Sequence, residues 1–266
     1  MIFLRPRNTV LFAALIATTA LTEPVAAQNR VGVTSAVNQQ SSVERAAGVR
    51  SVVVGENVLF EDRIITSDAG LVQVLFVDGS TFTVGSGARV VIDEFVFDPS
   101  TNAGSLVAEV TSGALRFVGG RLSKGGNTVR FRTPGGTLGV RGAIVNIDLE
   151  PECLPDGRCP DATASLVFGV EMVLTLPNGQ TRRIHTAGYT FVFFGTGAAT
   201  RVEIVPTSSL NQSRLQARLA GRPGASGGSA NIPSERAVVE SGIPPINSDR
   251  APIFVLPRPK PIVVTS

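Results

Sequence analysis

Val129-Arg-Phe-Arg-Thr-Pro-Gly-Gly-Thr-Leu-Gly-Val-Arg-Gly-Ala-Ile-Val145 alternates apolar and charged residues, breaks at Thr133-Pro134 and two glycines, then resumes as a second apolar run. In an extended strand Val129, Phe131 and Thr133 share one face, and Arg130 and Arg132 share the other. Arg141 stands alone among Leu138, Val140, Ile144 and Val145. Burying a guanidinium is costly unless all its donors are satisfied. Arg141 is therefore expected to be buried and partnered, locking 133–142 against acidic or carbonyl groups; the alternative is that it presents a partner-recognition surface. Gly135, Gly136, Gly139 and Gly142 permit tight turns or close strand approach.

The same grammar extends outward. Short runs rich in Val, Ile, Phe and Thr, such as Ser51–Val54, Leu71–Val77, Val90–Phe97, Ser105–Val110, Leu138–Leu149, Ser165–Leu176 and Tyr189–Phe194, are separated by turn residues. No long helical periodicity interrupts them. The fold class is all-β, an antiparallel or mixed sandwich or a short β-solenoid. Asp78-Gly79 and Asn178-Gly179 are read as hairpin turns, because both residues tolerate positive φ. Val74–Val84 and Leu174–Ile184 echo one another 100 residues apart; the echo fits either two stacked repeats or two independent hairpins.

Composition bounds the class. The 266 residues suit one medium domain or two small ones, and an apolar share of 43% permits a sizeable core. A net charge of +3 with no basic run argues against nucleic acid. Arg5 and Arg7, the apolar stretch Val10–Leu21 and the small residues Val25-Ala26-Ala27 read as a signal peptide over 1–27, cleaved before Gln28. The stretch is short of the roughly 20 residues a membrane span needs, so no stable transmembrane anchor is expected. The expected location is periplasmic or secreted, where Cys153 and Cys159 would form a disulfide. So short a ring contributes about 2 kcal/mol by loop entropy. The remaining boundaries are a loosely held lead-in at 28–50, the β domain at 51–205 and a tail at 206–266. Nine of the 17 prolines fall in that tail, which is expected to be flexible and disordered, with a short helix possible from Ser208 to Ala220.

Catalytic groups are sparse. Any histidine-based machinery must use His185, which sits at a strand end facing solvent. Asp93 and Glu94 are adjacent and point to opposite faces, so they cannot act as a pair. No nucleophile elbow is present, and the glycines near Arg121 and Lys124 precede no helix that would make a phosphate cradle. Neither enzymatic activity nor a cofactor is expected, nor a metal. Arg116, Arg121, Lys124, Arg130, Arg132 and Arg141 make 116–141 locally basic. They suit a contact with an acidic polymer or a partner protein, or they keep sheet edges from pairing with neighbours.

Several of these residues carry a resemblance. Val54-Gly-Glu-Asn-Val58, Asp62-Arg-Ile-Ile-Thr66, Leu75-Phe-Val-Asp-Gly-Ser-Thr81, Val91-Ile-Asp-Glu-Phe95, Thr133-Pro134 and Gly139-Val-Arg-Gly142 stand in an order that resembles the FecR family, named for regulators of ferric-citrate uptake. The resemblance covers about Val54 to Asp148, with Ala143 where the family pattern has Thr. The family's well-known members span the inner membrane, hear an outer-membrane receptor and act on a sigma factor through a cytoplasmic segment. This chain is more similar to stand-alone exported members, so sigma-factor control does not carry over. The resemblance implies a non-enzymatic, extracytoplasmic β module of the bacterial envelope that binds a protein partner, receptor or ligand in signalling. The alternative is a structural or adhesive envelope protein whose tail tethers it to cell-wall polymer.

Overall fold

The computed structural model describes residues 30–38, 41–124 and 128–220. Sixteen strands are formed: β1 (Arg30–Asn38), β2 (Ser41–Arg45), β3 (Gly48–Ser51), β4 (Asn57–Leu59), β5 (Arg63–Thr66), β6 (Leu71–Phe76), β7 (Thr81–Val84), β8 (Arg89–Asp98), β9 (Ala103–Ser112), β10 (Ala114–Val118), β11 (Thr128–Thr133), β12 (Gly136–Asp148), β13 (Ala162–Thr175), β14 (Thr181–Ile184), β15 (Tyr189–Phe194) and β16 (Arg201–Pro206). One helix, α1, covers Ser213–Ala220.

The long strands β12 and β13 pair antiparallel along their whole length and form a spine. β12's first half takes β11 on its other edge and its second half takes β10, so those two strands lie end to end. Each half of the spine carries its own wing. One wing runs β14–β13–β12–β11–β9–β8–β5–β2–β3; the other runs β16–β15–β13–β12–β10–β7–β6–β1–β4. All the pairs are antiparallel except β9 with β11.

The wings fold face to face. Phe76 of β6 stacks on Phe95 of β8 at 5.5 Å, although these strands belong to opposite wings. Phe82 and Phe117 of one wing meet Phe131 of the other at 5.7 and 5.2 Å. Strand alternation directs these rings inward with Val72, Val74, Ile92, Leu106, Leu138 and Leu174, all fully buried. The result is a mixed, curled all-β sandwich with a shared spine. At the far side from the spine, β1 and β2 stand in different wings yet only two residues separate Asn38 from Ser41, so that side is stitched shut. Backbone bonds from Glu61 N to Ile92 O (3.0 Å) and from Ile92 N to Asp62 O (3.2 Å) close the same side.

Several expectations change. Of the 28–50 segment, the described residues 30–38 and 41–50 are no loose lead-in: β1 is a central partner of β4 and β6, and β2 is paired by β3 and β5. Ser51–Val54 is mostly the turn after β3 rather than a strand. The ordered body extends past 205, because β16 runs to Pro206 and α1 packs Leu215 and Leu219 against Ala114. The remaining tail and the 1–27 leader lie outside the described residues. In the Asp78-Gly79 and Asn178-Gly179 turns only the glycines have positive φ, at 81° and 82°. Both turns close alike: Gly79 N bonds Phe76 O and Gly179 N bonds Leu176 O, each at 2.9 Å. The echo is real at the level of the turn, but β6–β7 and β13–β14 do not pair with each other, so it marks two independent hairpins rather than stacked repeats. No helix among the described residues is long and apolar enough to cross a membrane.

Candidate recognition surface

The spine must bend where the two wings fold over, and the bend is built from a bulge. Leu138 and Val140 point inward, then Ala143, Val145 and Ile147 do, so two residues, Arg141 and Gly142, are spent between inward positions. Gly142 takes φ 54°, and the β12–β13 register shifts between Ile144 and Val145. The facing strand bends at Gly169, with φ 124°; a Cβ there would lie 2.4 Å from Ala143 Cα. Around that glycine alternation fails, and Val167, Phe168 and Val170 turn outward with 45%, 67% and 62% of their surface exposed.

The 119–124 loop braces this corner. Gly119 N donates to Ala143 O (3.0 Å) and Gly142 N donates to Ser123 O (2.5 Å). Buried Asp78 holds the loop in turn, accepting from Leu122 N at 3.1 Å with Oδ2 while its own carbonyl accepts Arg121 N at 3.0 Å. Exposed Arg121 and Lys124 therefore sit on one flank of the bulge and the apolar trio on the other. Arg141 stands between them on the outer face, opposite Glu171. Glu171 is itself engaged by Arg183 at 3.1 Å and lies 3.6 Å from His185 Nδ1. Arg130 lies one row further along the same face, paired with Gly139.

Arg141 is thus exposed, not buried. The lone cation in an apolar run is accommodated because the bulge turns it outward, so no buried partner is required. Of the six basic residues, the fold gathers Arg121, Lys124, Arg130 and Arg141 on or beside the bend. Arg132 is engaged by Asp93 across β11 and β8. Arg116 is half-buried under α1, donating to Asn146 (2.9 Å) and Gln216 (3.1 Å), with its pKa pushed down by burial.

The guanidiniums that are held deeply lie elsewhere. Arg218 of α1 makes five hydrogen bonds, to Asp148 Oδ1 (2.7 Å), Glu150 Oε2 (3.1 Å), Glu150 O (3.4 Å) and Ser86 O twice (2.9 and 3.3 Å). Asp148 is buried, and that burial raises its pKa, opposed by the Glu150 N–H and then by Arg218. Arg45 forks onto buried Asp62, whose Oδ2 also accepts Leu59 N at 2.8 Å. Glu56 holds Arg50 and lies 3.7 Å from Arg45. Glu56 and Asp62 belong to the family-like motifs, and both tie the stitched side of the sandwich. Arg45 and Arg218 carry no sequence signal of this role, because they stand in a polar segment and a Pro- and Gly-rich segment without strand alternation. Phe168 left a trace, since Val-Phe-Gly-Val is a run of apolar residues in which alternation fails around a glycine.

His185 is exposed. Asp93 is engaged by Arg132 and Glu94 by Ser105. No group of three or more His, Cys, Asp or Glu among the described residues is placed to hold a metal. Cys153 and Cys159 form a disulfide in the β12–β13 connection. Its ring is fastened to the outer strands by Arg158, which donates to Asp156 (2.8 Å) and Glu203 (2.7 Å) and lies 5.0 Å from the Phe194 ring centroid.

No family model matches the chain, and no curated protein matches it. Among solved structures it is similar to two crystal structures of a "putative anti-sigma factor" from Parabacteroides distasonis, at 16% and 15% identity and TM-scores of 0.41 and 0.40. Each likeness covers 54% of this chain and 59% of the other, so the chain spans less than two thirds of either. Similarity at this level says nothing of ligand or partner.

Proposed function

We propose that this chain is an extracytoplasmic recognition module that docks a protein partner in envelope signalling, and that it performs no chemistry. The observation that carries this reading is the outward trio Val167, Phe168 and Val170 on a rigid, glycine-built corner. A clustered apolar surface on a braced strand is characteristic of a protein-contact site, because leaving it in water is unfavourable. Export is supported by the leader-like N-terminus and by the disulfide, a bond that persists in oxidising compartments. The test is a photo-crosslinking residue placed at Phe168, and separately at exposed Asn178 on the β13–β14 turn, in cells making the full chain. A discrete adduct with one envelope protein from position 168 and none from 178 is expected. Folded protein that gives no adduct from 168 would overturn the reading.

A further inference from the structure

The corner has a chemistry as well as a position, and on the reading above it specifies its partner. We infer that it takes an extended peptide segment whose apolar residue is flanked by carboxylates. Phe168 provides an aromatic contact with 67% of its surface open, and Val170 and Val167 extend it. Gly142 lies beside it, since a Cβ there would stand 3.5 Å from Val170 Cγ2, in van der Waals contact. Charge complements this apolar centre on one sign only. Arg121 and Lys124 lie on the loop flank, Arg141 on the bulge and Arg130 one row beyond, all with exposed side chains. Glu171, the one carboxylate paired into this part of the spine, is already engaged by Arg183 and lies 3.6 Å from His185. The corner therefore presents an apolar patch with a cationic flank on its β12 side. An acidic flank is attracted and a basic one repelled, while the apolar contact supplies most of the affinity.

The shape favours a segment rather than a folded domain face. The apolar contact is only three residues, built on a backbone that the Gly142–Ser123 and Gly119–Ala143 bonds hold in place. Little rearrangement is needed on this side, so an extended chain can lay its apolar residue on Phe168 and run across the bulge to the cations.

The experiment uses three fluorescent twelve-residue peptides with the same central Leu-Phe pair and acidic, neutral or basic flanks, titrated against the full chain by anisotropy. The acidic peptide should bind best, and raising sodium chloride from 50 to 500 mM should weaken it. Phe168→Ser should weaken it about tenfold or more, and Arg141→Glu should shift preference toward the basic peptide, both with unchanged melting temperature. Equal binding of the acidic and neutral peptides, or preference for the basic one, overturns the inference even where a crosslinked envelope partner upholds the docking reading. A dimer that Phe168→Ser converts to monomer would make a second copy the occupant. Crosslinks from position 168 into residues 221–266 of the same chain, with no peptide binding, would make the tail the occupant. Either result overturns it.

Discussion

At the scale of single residues the protein depends on a few saturated charges. Arg218 uses every donor of its fork inside an interface where Asp148 is almost wholly buried. Removing one partner of such a pair leaves the other charge uncompensated, so Arg218→Met should cost about 3 kcal/mol at neutral pH. The pH dependence has a sign. Burial raises the folded pKa of Asp148, and losing Arg218 removes one of the influences that opposes that rise. A carboxyl with a raised folded pKa destabilises when ionised, so the penalty should shrink as pH falls and Asp148 takes a proton. Thermal melts of parent and variant at neutral and acid pH check this; a penalty independent of pH would contradict it. Asp98 works in the other direction. Hydrogen bonds from Ser100 and Thr101 lower its pKa from 3.8 to about 2, so its contribution is present above 3.8 and is lost as pH falls toward 2. Relative to the parent, Asp98→Asn should therefore melt lower above that window, with the gap closing through it. Neither residue's role was legible beforehand: an arginine in a Pro- and Gly-rich stretch looks solvated until the helix that carries it is seen to dock.

At the scale of elements, the bend of the spine separates glycines that look alike in sequence. Gly169 sits at φ 124° with Ala143 Cα 2.4 Å from its would-be Cβ, whereas a Cβ on Gly139 would meet only Val173, at 3.8 Å and beyond. Gly169→Ala should cost about 2 kcal/mol or more through strain and backbone clash, while Gly139→Ala should stay within about 0.5 kcal/mol of the parent. Urea unfolding of the two variants side by side distinguishes them. Many strands from β6 onward could be read from alternation, because their inner faces carry mainly Val, Ile, Leu, Phe and Ala. β1 could not. Its register shifts between Thr34 and Ala36, and its inner face includes Thr34, so the two-residue period is broken. The bulge that turns Phe168 out is legible only as Gly169 inside an apolar run; the outward turn itself depends on the pairing with Ala143, which no local pattern encodes.

At the scale of the whole molecule, the sandwich has two kinds of seam. One is the continuous spine; the other is the stitched side, where Arg45, Asp62 and Glu56 hold strands of different wings together. Asp62→Ala would remove Arg45's main partner, leaving it Asn57 O at 2.7 Å and Glu56 at 3.7 Å, and would release Leu59 N, so a loss of about 2 kcal/mol is expected with the transition remaining cooperative, because both wings share one core. Separate melting of two halves in calorimetry would contradict that. All-β character was legible because it is a local property of pattern. The wing-over-wing arrangement was not, because it depends on contacts such as Phe76 with Phe95 and on the parallel β9–β11 pair, which no local period encodes.

The placement of α1 also governs how the body answers a mechanical load. A pull applied beyond Ala220 reaches the sandwich first through Leu219 on Ala114 and then the Arg218 guanidinium, which grips Ser86 on the β7–β8 connection and Asp148 at the end of β12. Tension from that end would peel the helix away before any ladder of strands shears, so the wings would survive forces that had already uncovered Ala114.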